Sequence, residues 1–344
     1  MDLKIQNIQF LEKARAEFIN CNYQNAIDAI NLVGEEDLHL LISEIQNGDG
    51  NLIYLSTHTQ SGNKKIFGVF SCTYHPDLKL EYSNIEDVAP TIKLDKSFKN
   101  IRTVRQLEST LGILNEQVVA IFPENFRSVR PEPNHPVFFF VNKFSKRHLR
   151  YTRPFLERFM FSEFFKPLVN LPEWRIDQLV ANWVNFHEAS HRLGPMPIPD
   201  YLFEKSNSFT AGIEELRADL NTINTCFNMS HDEKSEEYLT GLYVLSERLL
   251  AYPIFRDQKN FDAISSLIFW KFLNEKKTFN GPLNVKKILL SINELLQMIT
   301  QMEKKSLEEG NREKTKSYLR KAVSNFIGNI DKEYLKYNSF WSHV

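Results

Sequence analysis

The sequence predicts an α+β chain: a small antiparallel β-containing region over residues 1–145, then a mainly α-helical region over residues 146–344. Two observations carry this reading. Residues 52–74 fall into short β-rich runs, LIYLSTH and KIFGVFSCTY, joined by QSGNK, whose Gly62 and Asn63 suit a hairpin connection. Beyond Lys146 the strand signals fade, and apolar residues recur at helical spacing from Phe155 almost to the carboxy terminus.

The elements follow in order. Residues 4–46 read as helices, with Ile8, Leu11, Ala14 and Phe18 three or four apart, and a break near Gly48 and Gly50. Two further β-like runs, QVVAIF (117–122) and PVFFFVN (136–142), flank a loop that its prolines at 123, 131, 133 and 136 keep irregular. The Phe-rich run FLERFMFSEFFKPL (155–168) is dense enough in apolar residues to be enclosed on several sides. EKKSLEEGNREKTKSYLRK (303–321) mixes charges of both signs and reads as a solvated helix pair around Gly310.

Composition narrows the function classes. With 42% hydrophobic residues, including 27 Phe and 12 Tyr, the 344-residue chain carries ample apolar surface for its cores. The 42 Lys and Arg nearly balance 43 Asp and Glu, so a net charge of −1 sets up no field that attracts nucleic acid or an anionic membrane. Cys21, Cys72 and Cys226 lie far apart without a CxxC pair, which argues against a disulfide framework and a cysteine-ligated metal. The amino terminus lacks an apolar signal core and no long apolar span follows, so the expected location is the cytoplasm, with no membrane partner. GxGxxG, GxxxxGK[ST] and GxSxG are all absent, which leaves nucleotide and serine-nucleophile chemistry unsupported.

The segment LPEWRIDQLVANWVNFHEASHRLGP (171–195) contains His187-Glu188-Ala189-Ser190-His191, an HExxH motif. Pro172 suits a helix start, Gly194 a left-handed cap and Pro195 a stop, so the motif falls in the last turns of a helix. Four residues turn a helix by about 400°, so His187 and His191 share a face, as two imidazoles on one ion require. Ile176, Val180, Trp183 and Val184 continue their stripe, which suits both a metal cleft and an ordinary core. Glu188 points about 100° away and can reach a water on that ion.

A zinc site of this type needs a third protein ligand. The next predicted helix, 208–227, carries Glu214, Glu215 and Asp219 beside an apolar stripe of Leu216, Leu220, Ile223 and Phe227. Glu215 is the expected ligand, Glu214 its competitor, and Asp219 the acceptor for the free N–H of a ligand histidine.

HExxH, a short excursion, then a helix with ExxxD resembles the gluzincin metallopeptidases in pattern and order. More narrowly, Glu214-Glu215-Leu216-Arg217-Ala218-Asp219 resembles the EExRAE segment of dipeptidyl peptidase III. That resemblance implies a Zn²⁺ cofactor bound by His187, His191 and Glu215, with Asp219 supporting a histidine. Dipeptidyl peptidase III usually has HExxxH and a longer chain, so the resemblance does not imply dipeptide release. It spans about 35 residues, Trp183 to Asp219.

The expected function is a zinc-dependent hydrolase of peptide or small amide substrates. Zinc polarises the carbonyl and acidifies its water, while Glu188 serves as general base. Tyr243, Arg248, Tyr252 and His231 are candidate donors to the oxyanion. The link 195–207, with Pro195, Pro197 and Pro199, is a stiff excursion that borders the expected cleft. His39, His58, His75, His135, His148 and His343 have no ligand-spaced partner and receive no role. Two alternatives remain at this level: a metal enzyme of non-proteolytic chemistry, and a non-catalytic helical interaction protein with a vestigial site. Oligomeric state is not encoded in any feature of the sequence.

Overall fold

The computed structural model describes residues 137–158, 162–198, 200–255 and 260–342, the strand segments 53–58, 65–71, 101–109 and 120–121, and individual residues between 9 and 32. The expected stripe Ile8, Leu11, Ala14 and Phe18, the break at Gly48 and Gly50, the proline loop 123–136, Cys21, Cys72 and Pro199 lie outside the described residues. The described chain is mostly helical, with few strands. It divides into two compact units, and among the described residues the first runs as far as Phe144 and the second from Ser145 onward.

The first unit holds a five-stranded sheet in the order β1-β2-β3-β5-β4. Its strands are β1 (Ile53–His58), β2 (Lys65–Ser71), β3 (Ile101–Ser109), β4 (Ala120–Ile121) and β5 (Val137–Phe140). β1 pairs antiparallel with β2, setting Ile53 opposite Phe70 and His58 opposite Lys65. β2 pairs antiparallel with β3 across an irregularity at Val69/Phe70. β3 runs parallel to β5, so the sheet is mixed rather than purely antiparallel. β3 carries Arg102, Arg105 and Gln106 among its apolar residues, and no two-residue alternation marks it as a strand. β5 stops at Phe140, because Val141 already opens helix α1 (Val141–Arg147), where the sequence suggests strand to Asn142.

The second unit is all helix among its described residues. After α1 come a π-helical turn (His148–Thr152), α2 (Arg153–Leu156), α3 (Ser162–Val169) and α4 (Glu173–Ser190). They continue with α5 (Ser208–Met229), α6 (Glu236–Ser246), a second π-helical turn (Glu247–Ala251), α7 (Tyr252–Phe255) and α8 (Phe261–Glu275). The last three are α9 (Val285–Leu307), α10 (Arg312–Ile327) and α11 (Ile330–Ser342). No described helix is long and apolar enough to cross a membrane.

Helix α5 is the axis of this unit, with α4, α6, α8, α9 and α10 packed around it. It begins where Asn207 accepts from the N–H groups of Phe209 and Thr210, satisfying two donors that a helix start leaves unpaired. Its contact with α8 depends on Gly212, where a Cβ would stand 2.8 Å from the Phe261 carbonyl oxygen. From the Phe-rich run, Leu156, Phe165 and Leu168 are fully buried, as a core segment requires. Gly310 takes φ +78 between α9 and α10, as the reading of a helix pair around it expects. Glu303 in that charged segment is nevertheless buried.

Candidate metal centre

Two neighbouring helices build the site. Pro172, in extended conformation, caps α4, which runs to Ser190 with His191 as its last capping residue. Gly194 adopts φ +88, a left-handed conformation that costs an L side chain about 1–2 kcal/mol and costs glycine nothing. Ile176, Val180, Trp183, Val184, His187 and His191 form one buried face of α4, and α5 lies against that helix. Leu216, Leu220, Ile223 and Phe227 of α5 are buried, which turns Glu214, Glu215 and Asp219 toward the histidines.

Three side chains converge. His187 Nε2 lies 3.1 Å from His191 Nε2. Glu215 Oε2 lies 3.1 Å from His187 Nε2, and its Oε1 lies 3.9 Å from His191 Nε2. Ligand bonds of about 2.0–2.2 Å in tetrahedral geometry set neighbouring donor atoms ~3.4 Å apart, close to the 3.1 Å between the two imidazole nitrogens. His187, Glu188 and His191 also offer donor atoms within 4.8 Å of one another. Two carboxylates therefore compete for the third position. Glu215 is in contact with both imidazoles, and its side chain retains 28% exposure.

The far sides of both rings are held. His187 Nδ1 meets Asp219 Oδ1 at 2.7 Å, and His191 Nδ1 meets Glu214 Oε1 at 2.8 Å. Each carboxylate can accept from Nδ1–H, and in that neutral tautomer Nε2 would be free to bind a metal ion. Asp219 also accepts from Trp183 Nε1 at 2.7 Å and from Arg248 Nε at 2.6 Å. Glu214 accepts from Arg217 Nε at 2.9 Å and from Lys205 Nζ at 2.5 Å.

These partners decide the local acidities. Burial pushes Asp219 up, but Arg248 and His187 outweigh it and hold the carboxyl far below its ordinary range. Glu214 follows the same balance, with Arg217, His191 and Lys205 prevailing over burial. Burial disfavours the His187 cation, yet Asp219 and Glu215 raise this imidazole well above its usual value. In Glu215 the hydrogen bond with His187 prevails over burial and lowers the carboxyl. Glu188 differs in sign: burial raises it, against the pull of His191 and His187. A carboxyl held closer to neutrality is suited to taking up and returning a proton.

The remaining residues named from sequence divide sharply. Arg248 spends its donors on Asp219, Ser265 and Asp262, so it supports a histidine's partner rather than facing an open cleft. The guanidinium groups of Arg147 and Arg248 both lie over the Tyr252 ring, 4.6 and 4.4 Å from its centre. Tyr243 is fully buried, its hydroxyl has no hydrogen-bond partner among the described residues, and its ring lies 6.0 Å from Trp183. His231 is exposed in the turn after α5. His148 is buried and paired through Nδ1 with Glu247 at 2.8 Å, joining the two π-helical turns. Sequence reasoning passed over Lys205, Glu303 and the partnership of Trp183 with Asp219. Of these only Trp183 left a signal, one turn before His187 on the same face.

No family model and no curated protein matches the sequence. The fold is nevertheless similar to that of a solved structure, DPP III from Caldithrix abyssi, with a TM-score of 0.59 at 15% sequence identity. The match covers 96% of this chain and 64% of that one, so the chain spans a little under two thirds of that protein's length.

Proposed function

We propose that the chain is a zinc-dependent hydrolase, a metallopeptidase acting on peptide or small amide substrates. One observation carries the reading: the Nε2 atoms of His187 and His191 lie 3.1 Å apart, the two oxygens of the Glu215 carboxylate lie 3.1 Å from the first and 3.9 Å from the second, and both Nδ1 atoms are held by buried carboxylates. The likeness of fold to DPP III supports it. His187, His191 and Glu215 would hold the ion, and Asp219 and Glu214 keep the two imidazoles in the donor tautomer. Glu215 is preferred to Glu188 as ligand because it touches both rings. Glu188, one residue beyond His187 on α4, is then left beside the open position.

A bound zinc ion supplies Lewis acidity toward the scissile carbonyl and makes a water molecule acidic enough to ionise near neutrality. Glu188 would take up a proton from the attacking water on a carboxylate oxygen and return it to the leaving amine. The sign of charge at the site is managed by the surroundings, because Arg248 and Arg217 offset Asp219 and Glu214.

The test is metal content. Chain purified without added metal or chelator should carry close to one zinc per monomer by mass spectrometry. His187→Ala and Glu215→Ala should lose most of it. Absence of zinc after reconstitution would overturn the reading, and zinc retained by Glu215→Ala alone would move the third ligand. A peptide library should then be cleaved by the wild type and not by Glu188→Gln.

A further inference from the structure

Lys205 and Glu303 stand outside the donor set, yet both side chains are only 1% exposed. The Lys205 ammonium has three N–H donors, and all are committed: to the Met196 carbonyl at 2.5 Å, Glu214 Oε2 at 2.5 Å and Glu303 Oε1 at 2.7 Å. Arg217 joins from α5, with its Nε 3.7 Å from Glu303 Oε1 and two donors on Glu214. Glu214 therefore receives His191 and Arg217 on Oε1, and Lys205 and Arg217 on Oε2. A carboxylate accepting at both oxygens from two cations and one imidazole has no second orientation open to it.

Two carboxylates face two cations in this quartet, so its charges balance, the condition under which buried ions are tolerated. The balance leaves no surplus cation beside His191 to oppose a bound metal. The pairing also spans the chain: Lys205 lies at the end of the proline-containing link after α4, and Glu303 lies in α9, 98 residues later. Gly194 closes over the pair, since a Cβ there would stand 3.2 Å from Arg217 and 3.3 Å from Glu303. The Nδ1 side of His187 is held independently, because Asp219 is fixed by Arg248 and Trp183 instead.

We propose that Lys205 and Glu303 are positioning residues: together they lock Glu214, and through it the His191 ring, in the orientation that turns Nε2 toward His187 and Glu215. The consequence for metal affinity rests on the zinc reading above; the effect on His191 itself does not.

The experiment uses the full chain with ¹⁵N-labelled histidine, stripped of metal, and follows the hydrogen-bonded Nδ1–H resonances. His187→Ala and His191→Ala assign them. Glu303→Gln, and the charge-balanced pair Lys205→Met with Glu303→Gln, should shift or broaden the His191 resonance and leave that of His187 in place. Zinc affinity, measured by competition with a chromophoric chelator, should fall about tenfold. Arg312→Met is the control, because Arg312 ties the same link to α10 through Glu204, at 2.5 Å, without touching Glu214. It should leave both readouts unchanged. Should the double variant fail to fold by circular dichroism, Glu303→Gln carries the measurement. An unaltered His191 resonance in a folded variant, or an equal loss in Arg312→Met, overturns the proposal. If the wild type binds no zinc, the metallopeptidase reading fails, while the His191 resonance still decides this one.

Discussion

Each imidazole of the candidate centre is gripped at both nitrogens, and this double hold makes the contributions of single residues separable. Glu188 takes part in neither grip. Glu188→Gln keeps the size of the side chain and removes its basicity, so peptide hydrolysis should fall by about 10²–10⁴-fold while zinc content stays at the wild-type level. Loss of zinc together with activity would assign Glu188 to the ligand set instead. Asp219 works through His187, and Asp219→Asn should weaken zinc binding by roughly 10–100-fold, measured by chelator competition. Arg248→Met tests the next step outward. It removes the guanidinium paired with the Asp219 carboxylate, which is 1% exposed and keeps only His187 as a cationic partner among the described residues, and a broken buried pair costs about 3–5 kcal/mol. Chemical denaturation should show that loss even in metal-free protein, where a defect confined to metal binding would not appear.

Among the elements, the approach of α5 to its neighbours decides whether the donors meet. Gly212→Ala drives a methyl into the Phe261 carbonyl at 2.8 Å. Backbone cannot step aside as a flexible side chain can, so α5 and α8 must separate. The expected cost is about 1–3 kcal/mol, despite alanine's better helix propensity. Gly194→Ala combines a strained φ of +88 with the crowding of Arg217 and Glu303, and should lower both stability and zinc affinity. Gly310→Ala shares the positive φ but meets open space, so it should cost only about 1 kcal/mol and leave the metal site unaffected. Urea melts of the three variants, set beside their zinc affinities, separate strain in the chain from strain on the site. A Gly212→Ala protein as stable as wild type would contradict the packing argument.

Across the whole molecule, the buried ion pairs predict how stability responds to acid. Asp219, Glu214 and Glu247 all have carboxyls lowered in the folded state: burial opposes, but Arg248, Arg217 and His148 respectively outweigh it. Unfolded Asp and Glu titrate near about 3.9 and 4.3. The stabilisation is therefore complete above those values and is lost as pH falls through the lower folded ones. His187 has the opposite sign. Its raised folded pKa contributes fully below about 6.5 and that contribution disappears as pH rises through the raised value. Thermal melting of chelator-stripped protein should thus weaken steeply below about pH 4, with a shallower decline above neutrality. Asp219→Asn should flatten both limbs. A melting temperature constant from pH 5 to 3 would show that these pairs contribute no net stability.

The HExxH helix was legible because everything it needs is local. Its cap signals, its buried stripe and the shared face of His187 and His191 follow from 3.6-residue periodicity within one segment. The same holds for Asn207-capped α5, whose stripe brought Glu214, Glu215 and Asp219 under suspicion together. Sequence position suggests Glu215 for Nε2 and Asp219 for Nδ1 but leaves Glu214 in competition with Glu215; how the two helices dock sets Glu214 against His191 Nδ1. β3 is not legible in the sequence because its charged residues obscure any alternation, and its position between β2 and β5 is a matter of pairing rather than of composition. From sequence Glu303 is one of many solvated charges, since nothing within a few residues of it signals burial. Its partner, Lys205, lies 98 residues earlier. Periodicity records the near neighbours of a residue along the chain; contacts closed over long loops leave no such trace, and the folded chain alone determines them.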